Sequence, residues 1–339
     1  MSVVSAPADK PDVTTVIPTK DRVDFLASGA LPSALGQEGV EHEVIVVDDG
    51  SSDGTAAFVE DLDDERVRVI RHPRTRGVAH ARNSGIAAAR GSWVAFLDDD
   101  DLWSPDKLRM QIQAAETAGA SFSYASALGL DGDYNPLFVV PATQPERLAG
   151  RLLAANSIWG GSSNVVARRT LLEALEGFDE QLHQLADWDL WIRLALEAPA
   201  AACPDVLVGI VQHQGSMLVA ERADIFAEFA YLVAKHESAR ARLAAPANVR
   251  MFARWEALGH RRAGRRSAAA RAYLRGAEGP FDIGAVARAA GCLLGERAMD
   301  LGARLARSRG PVSPPPPTPV WLHRYTGRAR SARTAISSS

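Results

Sequence analysis

The chain has 339 residues, 47% of them hydrophobic and 23% charged, the ordinary mix of a globular protein with one large domain or two smaller ones. Its net charge of -3 hides an asymmetry: residues 1–234 hold 18 basic and 35 acidic residues, whereas residues 235–309 hold 16 basic and 6 acidic. Two cysteines, Cys203 and Cys292, exclude a disulfide framework or a zinc site, and no apolar run reaches the roughly 18 residues that span a bilayer.

The N-terminus lacks the apolar core of a signal peptide, so buried free thiols in the cytoplasm are expected. Residues 1–12 read as a loose leader. Val13–Ile17 is a first strand broken by Pro18, and Asp24–Leu35 a helix packed back on a sheet. Val44–Val47 is a second, wholly apolar strand, as a parallel sheet covered on both faces requires. It runs into the polar turn Asp48-Asp49-Gly50-Ser51-Ser52-Asp53-Gly54-Thr55, then a short helix over Ala56–Leu62 and a third strand over Val67–Ile70. The basic loop Arg71–Gly77 leads into a helix from Ala79 to Ala89, closed by Gly91.

The central strand Trp93–Leu97 ends in four consecutive carboxylates, Asp98 to Asp101. Ser104 as N-cap and Pro105 at the first helical position open a helix to Ala118, and Phe122–Ala125 is a short strand. Strands alternating with helices at this spacing predict βαβ units and a mostly parallel sheet. The carboxylates thus stand at the carboxyl end of a buried strand, where open α/β sheets hold ligands. Packed this closely they raise one another's pKa values unless a cation intervenes. Oxygen ligands in an Asp-x-Asp arrangement suit Mg²⁺ or Mn²⁺ that also holds phosphates, whereas the Gly and Glu of an EF-hand calcium loop are missing.

Asp131–Pro136 is a turn between extended segments without a chemical role. Trp159-Gly160-Gly161-Ser162-Ser163-Asn164 is either an ordinary turn or a loop that brings backbone N–H groups close to a substrate. Gly177–Glu180 leads to a helix with Leu190, Trp191 and Leu194 toward the core and Asp187 at its amino end, as N-cap or as functional carboxylate. Cys203–Val211 is strand-like. It is followed by His213-Gln214-Gly215-Ser216, where His213 is one of few polar residues able to converge on the acidic cluster.

Glu221–Arg309 reads as several helices, with a helical hairpin over Arg254–Gly259 and Ala268–Leu274. Phe281–Arg307 sets apolar and Arg residues at helical spacing, and packing on neighbouring helices is favoured there over a membrane surface. Pro314–Pro317 opens a stiff polyproline segment, and residues 311–339 are expected to be a disordered tail.

Collected in order, these pieces resemble a family 2 glycosyltransferase of the GT-A fold. They are Ile17-Pro18-Thr19 with Arg22, Val47-Asp48-Asp49-Gly50-Ser51-Ser52-Asp53-Gly54-Thr55, and Arg76-Gly77 with Ala81-Arg82-Asn83-Ser84-Gly85. Phe96-Leu97-Asp98 to Asp101, Gly160-Gly161-Ser162, Gly177-Phe178-Asp179-Glu180 and Asp187-Trp188-Asp189-Leu190-Trp191-Ile192-Arg193 follow. The resemblance implies an α/β GT-A domain over residues 13–220, followed by a helical region over 221–310 that it does not cover. It implies inverting transfer of a sugar from a nucleotide sugar to the hydroxyl of a sugar, lipid-linked or glycoconjugate acceptor. Pro18, Thr19, Arg22, Asp49, Arg82, Asp98 and Gly161 would line the nucleotide sugar, with Asp49 accepting from the base and Asp98 reaching the ribose or metal. Asp100 and His213 would ligate a divalent metal, Mn²⁺ or Mg²⁺, and Asp187 would be the catalytic base. The family often carries Glu-Asp where this chain has Ala186-Asp187, and Asp189 is the second candidate base.

A sugar nucleotidyltransferase would need a Gly-rich basic loop directly after the first strand, which Ile17–Arg22 lacks, and no P-loop motif is present. A catalytically inactive scaffold on the same fold is the remaining alternative, supported by Ala186 and the basic helical region. That region suggests an anionic partner, such as a lipid-diphosphate acceptor or the inner membrane surface, and no nucleic acid.

Overall fold

The computed structural model describes residues 10–213, 225–279, 282–295 and 316–325. They form two compact units: residues 10–149, 157–211 and 316–325 in the first, and 150–156, 212–213, 225–279 and 282–295 in the second. The boundary expected near residue 220 falls outside the described residues, as do residues 1–9, Gln214–Ser216, and the parts of Phe281–Arg307 and of the tail at 281, 296–315 and 326–339.

The first unit is built on one sheet of nine strands: β1 (Val13–Thr19), β2 (His42–Asp48), β3 (Val67–Arg71), β4 (Trp93–Phe96), β5 (Leu102–Trp103), β6 (Phe122–Leu130), β7 (Pro136–Val140), β8 (Val166–Arg168) and β9 (Ala200–Val211). Their order is β3-β2-β1-β4-β8-β6-β9-β5, with β7 added to β6. β3, β2, β1 and β4 run parallel, β8 is antiparallel to both β4 and β6, and β9 runs parallel to β6. Every residue of β1 and β2 is buried, which is why neither sequence alternates. The register sets Thr19 opposite Asp48, so the carboxyl ends of β1 and β2 deliver polar side chains to one edge.

The structure corrects several expectations. β1 runs through Pro18 to Thr19 because it pairs with β4 only from Val13 to Val16. Beyond Val16 the missing N–H of Pro18 removes no ladder bond on that side. The Asp24–Leu35 helix has a π-helical turn over Leu26–Ala30, directly before Pro32. Gly91 does not cap the Val78–Ala88 helix, whose C-cap residue is Ala89. A Cβ at Gly91 would lie 2.5 Å from the Thr14 backbone nitrogen and 2.7 Å from the Val13 carbonyl carbon, so close packing on β1 demands glycine. Ser104 is not an N-cap either: the helix starts at Lys107, and Ser104 uses its backbone carbonyl to accept from the Lys107 N–H and the Gln37 side-chain amide. Within the expected disordered tail, residues 316–325 pack on the sheet. Trp321 Nε1 donates to the Val206 carbonyl at 2.9 Å, Tyr325 Oη to the Trp103 carbonyl at 3.1 Å, and Leu322 is buried against Leu102 and Leu130.

Lys107 is fully buried, its ammonium nitrogen 4.0 Å from the centre of the Trp103 ring and without a hydrogen-bond partner. Burial pushes its pKa well below that of a free lysine. The unfolded chain therefore binds the extra proton, so Lys107 penalises the fold at neutral pH and the penalty fades as pH rises toward about 10. Lys107→Met is expected to stabilise the protein by about 1–3 kcal/mol at pH 7. Urea unfolding at pH 7 and pH 9.5 tests this, and a destabilised variant would contradict it.

The second unit consists of the helices Ile225–Lys235, Glu237–Leu243, Val249–Arg262, Arg266–Arg275 and Ile283–Leu294, with residues 150–156 joined to them. Phe229 and Phe252 stack at 4.0 Å, and the Arg240 Nε–H donates to the Leu153 carbonyl at 3.0 Å. Asn248 caps the third of these helices and Asp282 the last. The expected hairpin is present, sealed by Ala257, Ala269, Tyr273, Ala289 and Cys292.

Candidate active site

The carboxyl ends of β1 and β4 meet at the turn Asp98–Asp101, and the turn's four carboxylates have different partners. Arg82 donates to Asp98 Oδ1 at 2.6 Å. Asp99 accepts from the Thr19 hydroxyl and from Arg22, both at 2.8 Å, and the other terminal nitrogen of Arg22 reaches Asp100 at 2.9 Å. Asp101 accepts from the Ser163 hydroxyl at 2.5 Å and from the Val211 N–H at 3.1 Å. Three of the four thus belong to a scaffold that shapes the turn, and the second oxygen of Asp98 is left facing the glycine loop.

That loop is a 3₁₀ turn, Gly161–Asn164, in which Gly161 has φ +55. A Cβ on Gly161 would stand 3.5 Å from Asp187 Oδ2 and 3.8 Å from Asp98 Oδ2. Glycine therefore keeps open a space that both carboxylates border. Asp187 lies in the first turn of the Ala186–Glu197 helix and accepts its neighbour's N–H, from Trp188, at 2.7 Å. Burial raises its pKa to about 6, against the opposing pull of Arg82. Asp99 and Asp101 are also shifted upward, by burial first and by their neighbouring carboxylates. These two keep protons that the unfolded chain releases from about pH 4, so the acidic turn lowers stability as pH rises.

Thr19, Arg22, Arg82, Asp98, Asp100, Gly161 and Asp187, all nominated from the sequence, fall into one neighbourhood, and Pro18 is buried one residue before Thr19. Asp49 is differently employed. Its oxygens accept from the N–H groups of Arg76 and Gly77 and from His72 Nδ1 at 2.8–3.1 Å, which fixes the loop after β3. Asp189 is fully buried and paired with Arg193, so it points away from Asp187's space. His213 follows Val211 by two residues and belongs to the second unit. Sequence reasoning missed Ser163, which links Asp98 N–H to Asp101, and Asn164, which ties the loop to Ala125 of β6. Their signal was the run Gly-Gly-Ser-Ser-Asn, read from the sequence as either an ordinary turn or a loop offering backbone N–H groups, with no partner named for its side chains.

No three or more His, Cys, Asp or Glu side chains are grouped to hold a metal ion among the described residues. The chemistry of the donor set nevertheless fits a hard divalent cation. The second oxygen of Asp98 borders the open space over Gly161, Asp100 two residues on is held by Arg22, and Mg²⁺ is commonly held by one or two carboxylates with phosphates and water supplying the rest.

A mostly parallel α/β sheet with an acidic turn at the carboxyl end of a central parallel strand is the GT-A architecture. Residues 14–173 match the family model described as glycosyl transferase family 2, and the chain belongs to that family. Among its relatives is the succinoglycan biosynthesis protein ExoO of Rhizobium meliloti, 36% identical over 63% of this chain and 64% of that protein. Another is the Escherichia coli UDP-Glc:alpha-D-GlcNAc-diphosphoundecaprenol beta-1,3-glucosyltransferase WfgD, 30% identical over 54% of this chain and 69% of that one. A third, the putative teichuronic acid biosynthesis glycosyltransferase TuaG of Bacillus subtilis, is 35% identical over 38% of this chain; its matched part, like that of ExoO, is less than two thirds of its length. The fold is also that of S. aureus TarS 1-349, solved with UDP-GlcNAc, at TM-score 0.56 and 17% identity over 96% of this chain and 92% of that chain.

Proposed function

We propose that this chain transfers a sugar from a nucleoside-diphosphate sugar to an acceptor hydroxyl, with inversion, in the synthesis of a cell-envelope polysaccharide or glycolipid. The observation that carries the reading is the convergence of Asp98 and Asp187 on the space held open by Gly161. An acceptor hydroxyl is a weak acid, so a carboxylate must take its proton as the new C–O bond forms. Asp187 is that base in this reading, and a pKa near 6 leaves it ionised yet basic at neutral pH. Attack opposite the leaving group with a single base and no covalent enzyme intermediate gives inversion.

Arg82, buried between the two carboxylates with its Nε lacking a partner, supplies fixed positive charge for the departing diphosphate. Pro18, Thr19 and Arg22 border the nucleoside side, and Asp49 acts through the loop it fixes. Asp100, with Asp98 beside it, would hold Mn²⁺ or Mg²⁺, and His213 remains a proposed ligand from its place in the sequence. A bound divalent cation would act as a Lewis acid on the leaving diphosphate. The names of two similar proteins make a UDP-sugar the first donor to test. Both cysteines are buried and outside any disulfide, which supports a cytoplasmic site of action, and the basic balance of residues 235–309 supports peripheral contact at the inner membrane surface. No helix among the described residues is long and apolar enough to cross a membrane.

The test is thermal unfolding with a panel of nucleoside diphosphates and nucleotide sugars, with and without Mn²⁺. A ligand at one hundred times its Kd is expected to add about 2.7 kcal/mol, or about 5 °C or more in Tm, in a metal-dependent way. The increment should vanish in Asp98→Ala. Folded protein that responds to no donor would overturn the reading and favour the inactive scaffold, the reading supported by Ala186, a buried residue with no carboxylate next to the base.

A further inference from the structure

The Ile283–Leu294 helix of the second unit is apolar on two sides. Ala285, Ala289 and Cys292 face its neighbours and are buried. On the opposite side Ile283, Val286, Leu293 and Leu294 are 82%, 51%, 59% and 77% exposed, a stripe that helical spacing aligns with Ala287 and Ala290. The one charged side chain on this helix, Arg288, bonds back to the Gly284 carbonyl and lies off the stripe. Four large aliphatic side chains in one exposed row form a contiguous apolar patch, of the kind that marks interaction sites more often than scattered apolar exposure does.

Beside the start of the helix a shallow surface cleft is lined by Arg250, Arg254, Arg288, Asp282 and Tyr273, three guanidinium groups against one carboxylate. Asp282 is engaged by Arg250, while Arg254 is exposed and makes no hydrogen bond or ion pair among the described residues. At the other end, the Arg266 guanidinium lies 3.3 Å from where a Cβ on Gly295 would be. From 249 to 295 the chain carries nine arginines and three acidic residues. An aliphatic stripe with cationic groups at both ends matches the boundary between acyl chains and anionic headgroups.

We propose that this helix docks on an anionic phospholipid surface, the aliphatic stripe entering the acyl boundary and the arginine cleft taking a lipid phosphate. This deepens the peripheral contact in the reading above, and its test needs neither donor nor acceptor, so either can fail without the other.

The experiment is flotation of the full chain with vesicles of phosphatidylcholine alone or with 30 mol% (about one third) phosphatidylglycerol, at low and high salt. The protein is expected to float with the anionic vesicles and to release as salt rises. Ile283→Asp with Leu294→Asp should weaken binding at least about thirtyfold, and Arg254→Glu about fivefold or more. All three positions are exposed, so circular dichroism and Tm should match the parent. Equal binding to neutral vesicles, or retained binding by the double variant, overturns the proposal. A change of oligomeric state on the stripe substitutions would assign the face to a second copy. A lowered Tm would assign it to the chain's own residues 296–315.

Discussion

Asp187→Asn is expected to lower turnover by about 10²–10⁴-fold with donor affinity unchanged. The amide oxygen can still accept from the Trp188 N–H, so the first turn of the helix keeps its geometry, and only the proton acceptor is lost. Asp189 cannot substitute, because Arg193 holds it in the core. The wild-type rate should carry the same signature. A base must be ionised, so kcat/KM should rise about tenfold per pH unit up to about 6 and then level off. A profile flat from pH 5 to 7, or an Asn variant with parental turnover, would remove Asp187 from the chemistry.

Gly91→Ala is expected to be the most damaging of the single methyl additions. The new carbon would meet the Thr14 nitrogen at 2.5 Å and the Val13 carbonyl carbon at 2.7 Å, and neither can rotate away as a side chain would. Relief requires moving β1 away from the Gly91–Ser92 turn, which also strains the bond from Gly91 N–H to the Thr14 hydroxyl. A loss of about 3 kcal/mol follows from overpacking of this kind, or about 6–12 °C in Tm. A variant melting within a degree or two of the parent would show that β1 yields more easily than its burial suggests.

Much of this was legible in the sequence, for reasons that differ by element. β2 and β4 were found because strands buried on both faces are continuous apolar runs between polar turns. The convergence of Asp98, Gly161 and Asp187 was legible only through the ordered set of motifs, since no local pattern sets residues 98 and 187 across one glycine. β5 was missed because two residues carry no period, and its place depends on pairing with β9 about one hundred residues later. Pro18 misled because a proline's effect on a strand depends on where the neighbouring strand ends, and that lies in another segment. Gly91 misled for a similar reason: the same residue suits a helix cap or a crowded crossing, and only Thr14 and Val13 decide. The outward face of the Ile283–Leu294 helix was read as packing surface because apolar spacing does not reveal which of two apolar sides is covered.

Residues 316–325 close over β5 at the end of the sheet, yet the helical unit stands between them and the rest of that sheet in the sequence. On the ribosome, β1 through β9 and the helices emerge before Trp321 and Tyr325. The first unit therefore cannot finish folding by strict order of synthesis. Until those side chains arrive, the Val206 and Trp103 carbonyls and the Leu102–Leu130 patch wait in water. Synthesis past residue 325 is thus a condition for a finished sheet edge, and a ribosome stalled within the helices would hold a nascent chain that is sticky at one defined place.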